Sequence, residues 1–191
     1  MSEDSDGAAA VSTAVVLDYL PHGRADDDRP QYQKPQLAHA VDAGSFALYE
    51  LVLREEAAIT IGDRVAVDPP HDDVTEVRQV GYDDLSGGAQ SELEHVVSEI
   101  IDGEEARFVD FFNEAGAITL RLHQFNLLPG IGDKLRDAII DERKREPFGS
   151  LSDLEDRVSG LHDPAATLQE RIMEEIRDED VKYKLFARED E

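Results

Sequence analysis

Cysteine is absent from the 191 residues, which excludes a disulfide framework, a thiolate zinc site and a thiol nucleophile. No apolar run approaches the roughly 20 residues that span a bilayer. Residues 1–10 are small and acidic rather than basic and apolar, and read as a disordered leader on a protein that stays in the cytoplasm. Cations are also scarce: 14 Arg and 5 Lys stand against 44 carboxylates, for a formal net charge of -25. A polyanion is an unexpected partner for such a chain. The carboxylates are, however, scattered over every segment rather than gathered in a tail. That pattern fits a surface kept hydrated in a salt-saturated cytoplasm, as in halophilic archaea, so the charge describes habitat rather than ligand. The histidines His22, His39, His71, His95, His123 and His162 show no paired ligand spacing, and the run Asp26-Asp27-Asp28 lacks it too. Neither a metal nor a cofactor is expected.

Against that background residues 119–145 hold six Arg and Lys and four Asp and Glu, a local balance of +2. Inside this basic island runs Leu127-Leu128-Pro129-Gly130-Ile131-Gly132-Asp133-Lys134-Leu135-Arg136, followed by the periodic apolar residues Ala138 and Ile139. An apolar step into a tight Pro-Gly-Ile-Gly turn and then an amphipathic stretch reads as helix, hairpin, second helix. Two glycines let the backbone bend while Ile131 plugs the hairpin. Bare amides at the mouth of a helix, backed by its dipole, make a phosphate site that needs no catalytic side chain. The stretch resembles the helix-hairpin-helix motif of nucleic-acid-binding proteins. The resemblance implies that Pro129, Gly130, Ile131 and Gly132 form the grip, with Lys134 neutralising phosphate. Arg121, His123 and Arg136 are the expected neighbouring charges.

Upstream, Ala14–Leu20, Ser45–Leu53, Arg64–Val67 and Val74–Val80 are short, rich in β-branched and aromatic residues and bounded by Gly, Pro and Asp. They read as strands of a small barrel over residues 11–85. The connection from Pro21 to Val41 reads as a long polar loop. Near Ser86 the apolar period lengthens: Ala89, Leu93, Val96, Val97, Ile100 and Ile101 form one helical stripe, and Phe108, Val109, Phe111 and Phe112 another, so residues 86–188 are expected to form a helical domain that closes in a short apolar-basic strand or extended tail at Val181–Phe186. The phenylalanines are read as core, not as a stacking platform. Gly160-Leu161-His162 follows Gly130-Ile131-Gly132 by 30 residues, with Ser150 and Asp163 as helix caps and Pro164 at a first helical position. This second hairpin is a degenerate copy, because His162 replaces the closing glycine. The fold class expected is α+β, a small antiparallel barrel followed by a tandem of hairpin units.

Several stretches in order, Val16–Gly23, Phe108–Ala115, Arg121-Leu122-His123, Leu127–Gly132 and Tyr183–Phe186, resemble the archaeal domain-of-unknown-function family 655. The resemblance implies an oligonucleotide-binding, TRAM-like barrel before a helix-hairpin-helix domain. It also implies an RNA-binding protein linked to translation or ribosomal RNA, with no reaction assigned. Where that family tends to carry a basic loop, this chain has Asp68-Pro69-Pro70-His71-Asp72-Asp73, which sets barrel-mediated binding against electrostatics. The function expected is therefore non-catalytic binding of RNA, ribosomal or transfer RNA among the candidates, with DNA left open and no membrane partner. Two alternatives stand beside it. One is a protein-interaction adaptor on the ribosome or RNA polymerase, favoured by the acidic loop. The other is a glycosylase or lyase using Lys134 as nucleophile and Asp153 at the matching spacing.

Overall fold

A computed structural model describes residues 11–188; the expected leader, residues 1–10, lies outside the described residues. Five strands, β1 (Ser12–Leu20), β2 (Gln36–Asp42), β3 (Leu48–Leu53), β4 (Arg64–Asp68) and β5 (Val74–Val80), form one sheet in the order β4-β1-β2-β3-β5, with every pairing antiparallel. Although β4 and β5 are consecutive in the chain, they occupy opposite edges. The His71 amide donates to the Ala66 carbonyl of β4 (2.9 Å), and the Val74 amide donates to the His71 carbonyl (2.9 Å) while Val74 pairs with Leu53 of β3. Chain that touches both edges within one turn forces the sheet to curl into a half-barrel.

Inside the curl, Ala14, Val16, Ala38, Ala40, Tyr49, Leu51, Val65 and Val67 pack together. Alternate residues point the other way: Val15, Leu17, Val41 and Leu48 join the helices in the larger core. β2 is thus buried on both faces, and it occupies the end of a segment expected to be an irregular loop. Its sequence, Gln-Leu-Ala-His-Ala-Val-Asp, lacks the hydrophobic alternation of a half-solvated strand because neither face meets water. The strand expected from Ser45 begins at Leu48, since Asp42 closes a turn by accepting from the amides of Gly44 (2.8 Å) and Ser45 (2.7 Å).

Five helices follow: α1 (Gly87–Gly103), α2 (Glu105–Glu114), α3 (Asp133–Arg145), α4 (Leu151–Arg157) and α5 (Pro164–Arg177). Ser86 caps α1 by accepting from the Ala89 amide at 3.1 Å, and α1 lies on β1 and β2 with α5 against its side. The rings of Phe111, Phe112 and Phe125 sit within 5.5 to 5.8 Å of one another, and Phe186 lies 5.0 Å from Phe111. Phe112 and Phe125 are core, while Phe111 and Phe186 are half-buried against it and tie α2 to the C-terminal segment. The helical expectation is corrected between Gly116 and Gly132. Ala117 bridges to His123 as a short β-link, and only one 3₁₀ turn, Gln124–Leu127, precedes the Pro-Gly-Ile-Gly turn. Among the described residues no helix is long and apolar enough to cross a membrane.

Candidate nucleic-acid interface

The turn is built by Pro129 and Gly130. Proline sets the backbone for the second position of a turn, and Gly130, at φ 76°, supplies the left-handed conformation for the third, so the Ile131 amide can donate to the Leu128 carbonyl (3.2 Å). Ile131 is buried, which plants the loop on the core beneath. Gly132 then leads into α3, whose first internal hydrogen bond runs from the Arg136 amide to the Gly132 carbonyl at 2.9 Å. The amides of Gly130, Gly132, Asp133, Lys134 and Leu135 have no partner among the described residues, as a helix start without a side-chain cap requires. Neither glycine is crowded: a Cβ on Gly130 or Gly132 would meet nothing within 4 Å. Together they present a patch of donors on an exposed surface, along one wall of a groove of about 1050 Å³ whose far wall is the C-terminal half of α5.

The second turn repeats the first in its backbone as far as Leu161 and departs from it beyond, where Asp163 at φ 45° caps a helix that starts one residue later. Gly160 has φ 94°, the Leu161 amide donates to the Val158 carbonyl (3.2 Å), and Leu161 is buried as Ile131 is. Here, however, carboxylates and a proline reduce the donor set, leaving the amides of Gly160, His162 and Ala165 without a partner among the described residues. Asp163 accepts from the Ala166 amide (3.0 Å), Glu155 accepts from the Asp163 amide (3.2 Å), and Pro164 has no N–H to offer. An anion arriving at Gly160, Leu161 and His162 would meet two carboxylates where the first turn offers open amides.

The expected neighbouring charges are placed unequally. Lys134 and Arg121 are exposed. Arg136 is spoken for, donating to Asp133 (2.9 Å), Asp137 (2.9 Å) and Asn126 (3.2 Å). His123 is corrected from a surface cation to a buried capping residue. Its Nδ1 accepts from the Phe125 amide (3.0 Å), and burial, then the nearby Arg143 and Arg136, push its pKa down, so it is neutral. Beside Arg121 the tip of the Gly116–Gln124 loop displays Leu120, the most exposed large apolar side chain among the described residues, which no periodicity singled out.

A second polar constellation went unrecognised in the sequence. Asp18, His39 and Glu50 are cross-strand neighbours on the outer face of β1, β2 and β3, because a bulge between Val16 and Asp18 turns Asp18 outward. The Ser86 hydroxyl donates to Asp18 (2.6 Å), and the Ser86 amide donates to His39 Nδ1 (3.0 Å). A backbone N–H can only donate, so the imidazole proton sits on Nε2, which donates to Glu50 (3.2 Å). Arg24 completes the chain on Glu50 at 2.6 Å. Ser, His and Glu are present, but the imidazole touches the serine amide and not its hydroxyl, so the connectivity is that of a brace and not of a nucleophilic triad. It seats the N-terminus of α1 on the sheet. No local pattern joins Asp18, His39 and Glu50, which became readable as a set only once the register was known.

Among the described residues no group of His, Asp and Glu is arranged to hold a metal ion. Asp153 accepts from the Gly149 amide (3.1 Å) and from Arg157 (3.0 Å), and these two contacts lower its pKa. It is fixed as a helix-start carboxylate.

A half-barrel whose outer face carries α1, with four further helices after it in the chain and an open glycine turn across a groove from the last of them, defines an α+β protein of a particular build. The chain belongs to the protein-of-unknown-function family DUF655, whose family model matches residues 11–188. It is 37% identical over 179 residues to the uncharacterized protein MJ0038 of Methanocaldococcus jannaschii, covering 92% of this chain and 79% of that one. The crystal structure of Af1531 from Archaeoglobus fulgidus is similar with a TM-score of 0.84 and 40% identity, over 93% of this chain and 99% of that one.

Proposed function

We propose that this protein is a non-catalytic nucleic-acid-binding protein, with RNA as the favoured ligand, that holds the phosphate backbone on the amides of the Gly130–Gly132 turn. The observation that carries this reading is the set of unpartnered amides of Gly130, Gly132, Asp133, Lys134 and Leu135 on an uncrowded surface. They attract anions by partial charge and by direction, at the positive end of the 13-residue α3, with Lys134 exposed alongside. We read the two turns as a tandem of hairpin units in which the first binds and the second, with its donor set reduced by Pro164 and by the carboxylates on the Asp163 and Ala166 amides, supports it. We also read the half-barrel as a relative of the oligonucleotide-binding, TRAM-like barrel. If the chain works in molar salt, as its dispersed carboxylates suggest, counterion release contributes less and directed amide hydrogen bonds more.

The glycosylase reading loses support from the site. Lys134 is exposed and so lacks the desolvation that activates a Schiff-base lysine, and Asp153 is committed to Gly149 and Arg157. The adaptor reading rests on the exposed Asp72 at the edge-joining loop, which repels phosphate and suits a basic protein surface. Filter retention of structured RNA by the wild type and by Gly132→Val tests the proposal. Gly132 has φ -85° and open space at its Cβ position, so valine leaves the fold intact while covering the amides. Loss of retention in a folded variant is expected; unchanged retention removes the turn from the account.

A further inference from the structure

Many of the cations lack an ionic partner among the described residues, and four of those lie close together in the chain, interrupted only by the carboxylates of Asp178-Glu179-Asp180. Arg177, Lys182, Lys184 and Arg188 have none among the described residues; Arg177 lies 5.7 Å over the Tyr82 ring and Lys182 5.2 Å over that of Tyr183. Residues 181–188, Val-Lys-Tyr-Lys-Leu-Phe-Ala-Arg, carry three cations and no carboxylate, although Glu189-Asp190-Glu191 follow in the sequence.

The segment is held by its main chain. Buried Glu175 accepts from the amides of Leu185 (2.7 Å), Phe186 (2.9 Å) and Ala187 (2.9 Å), Arg171 donates to the Tyr183 carbonyl (2.6 Å), and the Arg188 amide donates to the Ser45 carbonyl (3.0 Å). With the peptide groups turned inward, Lys182 and Arg188 are left exposed. A groove of about 1120 Å³ runs along the segment, with Lys182, Lys184 and Arg188 on one lip, Asp110 and Glu114 of α2 on the other, and Phe111 and Phe186 between. The groove beside the glycine turn reaches Arg177 and Asp178, and this one starts at Glu179, so the two meet along the chain.

We propose that Arg177, Lys182, Lys184 and Arg188 form a second phosphate-contacting surface, and that its ligand is a single-stranded RNA segment continuing from the strand held at Gly130–Gly132. The inference rests on the nucleic-acid reading of that turn. One cationic lip suits one backbone, and half-buried aromatic edges between the lips suit an unstacked base, which a duplex does not present.

The test is fluorescence anisotropy across graded KCl on a duplex RNA and on the same duplex with a single-stranded extension. The proteins compared are the wild type, Lys182→Gln/Lys184→Gln/Arg188→Gln and Gly132→Val. The wild type is expected to bind the extended RNA more tightly. The triple variant is expected to lose that preference while keeping duplex affinity, its log-affinity against log-salt slope shallower by about 2, at ~0.7 for each single-strand phosphate contact removed. Lys182→Gln alone, with a slope change of about 0.7, serves if the triple variant does not fold. An undiminished preference and slope in the triple variant overturns the proposal, as does equal weakening on both RNAs. Normal binding by Gly132→Val overturns the hairpin reading, and the triple variant still decides the cationic surface.

Discussion

Gly130 and Gly132 stand two residues apart and ask for different things. Gly130 is glycine because its φ is 76°, a conformation that costs a side-chain-bearing residue about 1–2 kcal/mol, and a β-branched one more. Gly132 is extended, with room for a side chain, so nothing in the fold itself calls for glycine there. Gly130→Val is therefore expected to lose about 2 kcal/mol or more in urea unfolding, and Gly132→Val to stay within about 1 kcal/mol of wild type. Equal losses at both positions would show that the second glycine serves stability. His123 makes a separate prediction. Its pKa is lowered by burial and by the nearby arginines, so the folded state favours the neutral ring. A depressed histidine pKa means that the unfolded chain binds the proton more readily. The stability it contributes is complete above the unfolded value of about 6.5 and falls away as pH drops through the lower folded value. Thermal unfolding between pH 7.5 and 5 should thus show a steeper loss for the wild type than for His123→Asn, whose side chain cannot take up that proton. Parallel pH profiles would contradict the assignment of His123 as a neutral cap.

At the scale of elements, what a periodic pattern could carry was legible and what depended on pairing was not. The α1 stripe from Ala89 to Ile101, the Ser150 cap and the Asp163-Pro164 helix start all lie where their local chemistry put them, because capping and amphipathic spacing act within a few residues. β2 escaped because a strand buried on both faces has no alternation to read, and alanine and histidine are not strand formers. The helix expected before the Pro-Gly-Ile-Gly turn is instead a 3₁₀ turn, since His123 and Asn126 cap each other over only four residues. In the candidate site, Gly130, Gly132 and the exposed Lys134 were readable, whereas the burial of His123 and the ion pairs of Arg136 are tertiary facts. The apolar-basic run at Tyr183–Phe186 stood out in the sequence, but its anchor on Glu175 did not, since a carboxylate on α5 gives no sign that it will gather three amides from another segment. That anchor is testable. Glu175→Ala would remove the buried one of the two carboxylates on Arg171, leaving it the more exposed Glu174, and would strip three amides of their acceptor, at a cost on the order of 3 kcal/mol. Hydrogen exchange should then accelerate at the amides of Leu185, Phe186 and Ala187 before the sheet is affected. Protection retained at those amides would place the anchor elsewhere.

The whole molecule carries 25 more negative than positive charges, and its ion pairs draw on few of the carboxylates. Mutual repulsion across such a surface opposes the compact state until salt shortens its range, from a Debye length of about 10 Å at 0.1 M to ~3 Å at 1 M. The melting temperature is expected to rise between 0.1 and 2 M KCl, and a flat or falling trend would separate the composition from salt adaptation. The same screening determines how a polyanion can be held at all. An open row of amides works at short range and by direction, and so survives where long-range attraction is absent. The most direct measurement is a titration of the ¹⁵N-labelled protein with RNA in molar KCl, following each backbone amide by NMR. The account predicts the largest shifts at Gly130, Gly132, Asp133, Lys134 and Leu135, with the amides of Leu161 and Asp163 little changed. Saturable binding that leaves those five amides unmoved would contradict it.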